Sequence, residues 1–204
     1  MEVSLGTIYL IRHGEVDWNR KNSYVGSTDI PLNATGRSQA MQVAEHLKDK
    51  KISAVYSSNL MRARVTAEII AEKFGIPVTG VPAFQEVDYG EWEGLSESEI
   101  KERYQDIYAR WREDPVGINA PNGESFGELR DRAYPAFIRI AEAHPDDNVV
   151  VVAHKSTNRV LLCRLLGIDV NLYRQIAQEN ACINTISVRS GGRLVVDTIN
   201  ITRC

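Results

Sequence analysis

Between Asn148 and Ala153 the chain reads NVVVVA, four consecutive valines that run straight into His154 and Lys155. A strand with one wet face alternates apolar and polar side chains. A strand that is apolar at every position has both faces covered, which is the pattern of a central parallel strand between two helical layers. This run alone therefore points to an α/β fold, a three-layer α/β/α sandwich on a mostly parallel, mixed sheet.

Other segments fit that frame. TIYLI (Thr7 to Ile11) and ISAVYS (Ile52 to Ser57) read as further strands, with helical periodicity between them. Ala40, Val43, Ala44 and Leu47 share one helical face. Leu60, Ala63, Ala67, Ile70 and Phe74 share another, with Ser58 as the expected N-cap and Gly75 as the expected C-terminal glycine. Ser96 with Glu99 and Ser125 with Glu128 form two capping boxes. The first predicts one helix carrying Ile100, Tyr104, Ile107, Tyr108 and Trp111. The second predicts a helix carrying Phe126, Leu129, Ala133, Ala136 and Ile140, kinked at Pro135. RSGGR predicts a hairpin turning at Gly191 and Gly192. Residues 1–204 are expected to form a single domain, with 87–122 as a small, irregular excursion over one edge of the sheet.

Composition narrows the function. A 43% apolar content in 204 residues is ample for one core, and a formal charge of -3 offers no general attraction to nucleic acid or to acidic membranes. No segment has the length of a membrane span, and the N-terminus lacks the basic and apolar regions of a signal peptide. Cys163, Cys182 and Cys204 are odd in number and match no metal-ligand spacing. Reduced thiols and a cytoplasmic location are expected.

In open α/β sheets, ligands bind where the carboxyl ends of strands meet helix N-termini. Here those junctions carry Arg12 and His13 after the first strand, Arg62 in the helix after the second, and His154 after the valines. Glu86, in AFQEVDYGEWEG, follows a short strand. Two histidines, two arginines and a carboxylate converge if the strands are parallel. Each alone has an ordinary structural explanation; together they make a site. Two histidines and a carboxylate are also zinc ligands, but two arginines beside them repel a cation. The set is built for an anion.

LIRHGEVDWN resembles the signature of the histidine phosphatase superfamily, also called the phosphoglycerate mutase-like fold. The resemblance continues in order through GSTDIPLNATGRSQA, YSSNLMRARVTAEII, EVDYGEWEG, NGES and VVVVAH, so it covers nearly the whole chain. It implies that His13 is the nucleophile, that Arg12, Arg62 and His154 bind the phosphoryl group, and that Glu86 is the proton donor. It also implies that Asn19 contacts phosphate. Phosphoryl transfer needs positioning and charge neutralisation on the equatorial oxygens. Two arginines and a protonated His154 would supply that with no metal and no cofactor, provided the surroundings keep His13 neutral and His154 charged. Backbone N–H groups at the helix start after His154 would add further donors.

The resemblance leaves two activities and one inactive alternative. The segment between Glu86 and Gly123 is short and lacks a counterpart to the mutases' basic stretch, which favours a phosphatase acting on a small phosphate ester such as phosphoserine, α-ribazole phosphate or a phosphorylated sugar acid. The alternatives are a cofactor-dependent phosphoglycerate mutase and an inactive phosphate-binding module, the latter disfavoured because all five core positions are filled. Tyr24 is a candidate wall of the pocket; Tyr89, Trp92, Tyr104, Tyr108 and Trp111 in the excursion are candidates for the wall too, but their helical spacing favours core. Lys155 stands where most relatives have glycine, and is expected to reach a second anionic group, such as a carboxylate, on the substrate. The resemblance implies a monomer or a homodimer, and the strand after the hairpin is an edge that could pair across a dimer.

Overall fold

The structure is a computed structural model that describes residues 4–21 and 23–202. Cys204 lies outside the described residues. In chain order the elements are β1 (Ser4–Arg12), α1 (Asp17–Arg20), α2 (Ala34–Leu47), β2 (Ile52–Ser57), α3 (Met61–Glu72), β3 (Val78–Gly80), α4 (Glu97–Arg103), α5 (Gln105–Glu113), α6 (Phe126–Ala143), β4 (Asn148–Ala153), α7 (Lys155–Leu166), β5 (Ile183–Arg189) and β6 (Leu194–Ile201). The sheet order is β3-β2-β4-β1-β5-β6. Strands β3, β2, β4 and β1 run parallel, and the C-terminal hairpin adds β5 and β6 antiparallel.

The valine strand lies between β1 and β2, and Val149 to Val152 are each 0% exposed. Successive side chains of a strand point to opposite faces. Accordingly Val149 and Val151 join one core and Val150 and Val152 the other. Strand β1 divides the same way, with Ile8 and Leu10 on the first face and Tyr9 and Ile11 on the second. Helices α2 and α3 cover the second face through Val43, Leu47, Ala67 and Ile70. Helices α6 and α7 cover the first through Phe137, Ile140, Val160 and Leu161.

Local signals set the helix ends. Asn33 caps α2 by accepting from Gly36 N–H, and both capping boxes form. Gly75 (φ 65°) and Gly167 (φ 69°) take left-handed conformations just beyond α3 and α7, where a side chain would be strained. Helix α6 runs unbroken through Pro135. The turn at Gly191 and Gly192 has positive φ at both residues, as a tight hairpin between twisted strands requires.

Three expectations change. β1 extends beyond Thr7 to Ile11 at both ends, because β4 and β5 pair with it along its length. Ser58 does not cap α3: the cap residue is Leu60, and Ser58 Oγ accepts from Leu60 N–H while also bonding His154. The helix expected from Ser96 to Trp111 is two, broken at Tyr104, whose backbone (φ -132°, ψ 35°) leaves the helical region. The break lets Ile100, Tyr108 and Trp111 all reach one core with Trp92 and Phe126. Trp92 and Trp111 meet edge to face, with ring centroids 5.1 Å apart. Truncating a ring buried this fully costs about 3–5 kcal/mol, so residues 90–113 are anchored to the sheet.

Candidate active site

The parallel pairing of β1 with β4 aligns Arg12 with Ala153. His13 N–H then donates to the Ala153 carbonyl at 3.0 Å, and His13 and His154 emerge side by side, ring centroids 5.1 Å apart. From this point the chain leaves β1 toward α2 on one face and leaves β4 toward α7 on the other. A crevice opens where two neighbouring strands send their chains to opposite faces. Gly14 and Gly36 touch backbone to backbone beside it, and an added Cβ on Gly14 would overlap the Gly36 carbonyl.

His13 is buried, and its Nδ1 lies 2.6 Å from the Gly14 carbonyl. A carbonyl only accepts, so Nδ1 carries the proton and Nε2 of the neutral ring keeps its lone pair. Burial, with the charges of Arg62 and Arg12, holds the His13 pKa well below the ordinary histidine value. His154 is depressed in the same way, by burial and then by Arg62, His13 and Arg12. The expected split between a neutral and a charged imidazole is therefore absent: both are neutral near pH 7. His154 needs no charge to donate. Its Nε2 lies 2.8 Å from Ser58 Oγ, and its Nδ1 is buried without a hydrogen-bond partner. A Ser58 hydroxyl donating to Nε2 leaves Nδ1–H as a free donor.

Lowering the pH from 7 to 5 is accordingly expected to destabilise the protein. Imidazoles with folded pKa values below about 6.5 stay neutral in the native state while the unfolded chain takes up protons, so stability is lost as pH falls through that value. Each imidazole contributes up to about 1.4 kcal/mol per pH unit below it. Thermal melts across this range should slope downward toward acid, less steeply in His154→Asn; a flat Tm would contradict the neutral pair.

Arg62 lies in the first turn of α3 and is fully buried. Its Nη1 donates to the Thr28 carbonyl (2.8 Å) and its Nη2 to the Gly26 carbonyl (2.6 Å), which fastens the loop before α2. Burial lowers its pKa to about 10, so it remains charged at neutral pH. Arg12 Nη1 donates to the Gln178 carbonyl at 2.7 Å. The Nε of each arginine is buried without a partner.

Glu86 reaches the site from the other core. Its carboxylate accepts from Ser156 N–H (2.9 Å), Thr157 N–H (3.1 Å), Thr157 Oγ1 (3.2 Å) and Val87 N–H (3.0 Å). The start of α7 therefore holds Glu86 through the Ser156 and Thr157 N–H groups, so these two are not the phosphate donors expected of the helix start. Arg132 on α6 steadies the same loop. It donates to the carbonyls of Ala83, Gln85 and Glu86 and pairs with both oxygens of Glu124, at 2.6 and 2.7 Å.

A cavity of about 480 Å³ opens over these groups, lined by Arg12, His13 and Glu86 and also by Asn19, Tyr24 and Lys155. Arg62 and His154 are 0% exposed and lie beneath it. The Asn19 Oδ1 accepts from Val16 N–H (3.1 Å) and Asn180 Nδ2 (3.0 Å). Tyr24 packs edge to face on Tyr89, centroids 4.9 Å apart, and its hydroxyl meets Tyr108 at 3.5 Å. Lys155 is exposed yet lines the cavity; desolvation by the wall, with the charges of Arg12 and Arg159, lowers its pKa to about 8.

Sequence reasoning missed Ser58 as the partner of His154, and it missed Arg159, Tyr173 and Arg174 in the wall. No motif marks those three. The polar run QENA (Gln178–Ala181) just after them was a signal, since it offers polar groups between a helix and a core strand. Arg112, from the segment read as lacking a basic stretch, also lines the cavity.

Comparison with known proteins gives a consistent picture. The model of the histidine phosphatase superfamily (branch 1) matches residues 8–202. The chain is 38% identical over 180 residues to "Uncharacterized phosphatase PhoE" of Bacillus subtilis (strain 168), covering 88% of this chain and 86% of the relative. It is 32% identical over 195 residues to "Phosphoserine phosphatase 1" of Hydrogenobacter thermophilus, covering 96% and 92%. Among solved structures, a mycobacterial glucosyl-3-phosphoglycerate phosphatase in complex with VO3 superposes with a TM-score of 0.85 at 28% identity, over 95% of this chain and 98% of that one. Other relatives carry phosphoglycerate mutase names.

Proposed function

The chain belongs to the histidine phosphatase superfamily and is a phosphatase, and on that footing we propose that it hydrolyses a small phosphomonoester through a phosphohistidine on His13. The observation that supports this most is the trio of buried groups around His13 that have no partner: Arg12 Nε, Arg62 Nε and His154 Nδ1. An unpaired buried donor costs about 1–3 kcal/mol, and one phosphoryl group offers acceptors to all three.

In this reading Nε2 of neutral His13 attacks phosphorus in line with the ester oxygen. As the N–P bond forms and the P–O bond breaks, Glu86, entering the step as the carboxylic acid, passes its proton to the departing ester oxygen and becomes the carboxylate. Glu86 then takes a proton from the water that attacks the phosphohistidine, and inorganic phosphate leaves with His13 neutral again. Arg12, Arg62 and His154 neutralise or hydrogen-bond the equatorial oxygens, with Asn19 at the edge of the pocket, so the reaction needs neither metal nor cofactor. Tyr24 walls the pocket and Lys155 contacts a carboxylate on the substrate. Residues 1–204 act as one domain whose 87–122 segment closes over the site. Buried free thiols at Cys163 and Cys182 suit a cytoplasmic setting. No described helix is long and apolar enough to cross a membrane.

A second reading, a phosphoglycerate mutase, is favoured by one observation: Arg112 brings a cation from the 87–122 segment to the cavity. One experiment separates the readings. Wild-type protein with excess chelator should release phosphate from p-nitrophenyl phosphate and from a panel of phosphoserine, 3-phosphoglycerate, glucosyl-3-phosphoglycerate, α-ribazole phosphate and sugar phosphates. A brief quench should trap an acid-labile, alkali-stable phosphoenzyme. Isomerisation of 3-phosphoglycerate outpacing its hydrolysis would favour the mutase. Absence of turnover on every ester would overturn both readings, and loss of turnover in chelator would overturn the metal-free mechanism.

A further inference from the structure

The wall of the cavity beyond the histidines carries more positive charge than one phosphoryl group calls for. Lys155, Arg159 and Arg174 all line it. None of the three makes an ion pair among the described residues. Glu86, Glu97 and Glu179 line the same cavity, but they face five cations, Arg12, Arg112, Lys155, Arg159 and Arg174, and this surplus of positive charge favours an anion.

Within this group Arg174 is the one built to hold a ligand. It sits in the 3-10 turn Val170–Gln175, directly after α7. Its guanidinium lies over the rings of Trp111, at 4.7 Å, and Tyr173, at 4.5 Å. Trp111 is 1% exposed and Tyr173 3% exposed, so both platforms are fixed in the core. Its Nη2 is buried and has no hydrogen-bond partner. A planar fork held against fixed rings loses little freedom when it binds, and it pairs with two oxygens at once. Arg159, by contrast, spends its Nε on the Ile176 carbonyl at 2.6 Å, and Lys155 is a flexible point charge.

We propose that Arg174, with Lys155 beside it, forms a second anion subsite that makes this enzyme prefer phosphate esters bearing another oxyanion, a carboxylate or a second phosphate, over esters with a neutral tail. This rests on the phosphatase reading above and assigns the residue that sets its specificity. The orphaned Nη2 then has the same explanation as the orphaned atoms of Arg12 and Arg62: each waits for an oxygen of the substrate.

The test compares kcat/KM for three esters: propyl phosphate, 3-phosphoglycerate and 1,3-propanediol bisphosphate. Wild type should favour at least one of the two anionic esters over propyl phosphate. In Arg174→Met, which keeps an apolar stem against Trp111, that preference ratio should fall on the order of 10- to 100-fold. Arg174→Lys, which keeps the charge without the fork, should retain part of it. Lys155→Ala should lower the same ratio by a smaller factor. A fall for one anionic ester alone identifies which oxyanion the subsite takes. A wild type with no preference, or a ratio unchanged in folded Arg174→Met and Arg174→Lys, overturns the subsite. Either result leaves the phosphatase reading standing if propyl phosphate is still hydrolysed, whereas a wild type inert toward all three esters fails at that earlier step.

Discussion

Replacement of His13 by alanine is expected to remove turnover of p-nitrophenyl phosphate by about four orders of magnitude or more, the scale seen when a nucleophile is deleted. The expectation follows from the ring's setting. Nδ1 is committed to the Gly14 carbonyl, so Nε2 alone bears the lone pair, and the depressed pKa keeps it unprotonated at neutral pH. No other described side chain is placed to substitute for it: His154 is 0% exposed, and its Nε2 is engaged with Ser58. The cations stay in place in His13→Ala, so vanadate or phosphate should still bind and raise Tm while turnover vanishes. Retained turnover would show that the phosphoryl group never visits His13. Loss of both binding and turnover, with the fold intact, would show that His13 organises the pocket instead of reacting in it.

Glu86→Gln is expected to act through the leaving group. Hydrolysis of an alkyl phosphate needs a proton on the departing oxygen, and general acid catalysis of this kind is worth about 10²–10⁴-fold. The p-nitrophenolate ion leaves without one, so kcat/KM for its ester, which reports phosphorylation of His13, should fall only a few-fold, while kcat falls further because water attack on the phosphohistidine loses its base. The structure adds a second effect. Both carboxylate oxygens accept from the start of α7, at Ser156 and Thr157, and a glutamine there must turn its NH2 toward one of those donors. The donor–donor conflict should cost about 1–3 kcal/mol of stability, visible as a lower urea midpoint. An equal loss of kcat/KM on alkyl and aryl esters would remove the general-acid role while leaving the capping role intact.

Glu86 also illustrates what was legible in advance. Its chemical type was readable, but the short strand expected just before it ends at Gly80, and the 3-10 turn Pro82–Phe84 intervenes. Its dual attachment, to α7 by its own carboxylate and to Arg132 through its backbone, was not readable. The two histidines make the same point. Their place at strand ends follows from local apolar patterning, but the expectation that one is charged came from treating them as separate groups. Desolvation and the field of Arg12 and Arg62 act on both rings together, and only their shared burial reveals it. Arg174 was invisible because nothing in its immediate sequence distinguishes it from a solvated arginine. Its platform, Trp111, comes from a helix far away in the chain.

What the sequence by itself determined is the layered α/β architecture, the capping boxes, the closing hairpin and the residue types available at the candidate site. These rest on interactions within a few residues, or on patterns of burial that repeat along one element. What only the tertiary structure decided is the alignment of Arg12 with Ala153, the break at Tyr104, the capture of the α7 N-terminus by Glu86 and the cationic wall. Each depends on which distant surfaces meet. That choice is made by burying whole faces at once, so no local stretch of the chain records it.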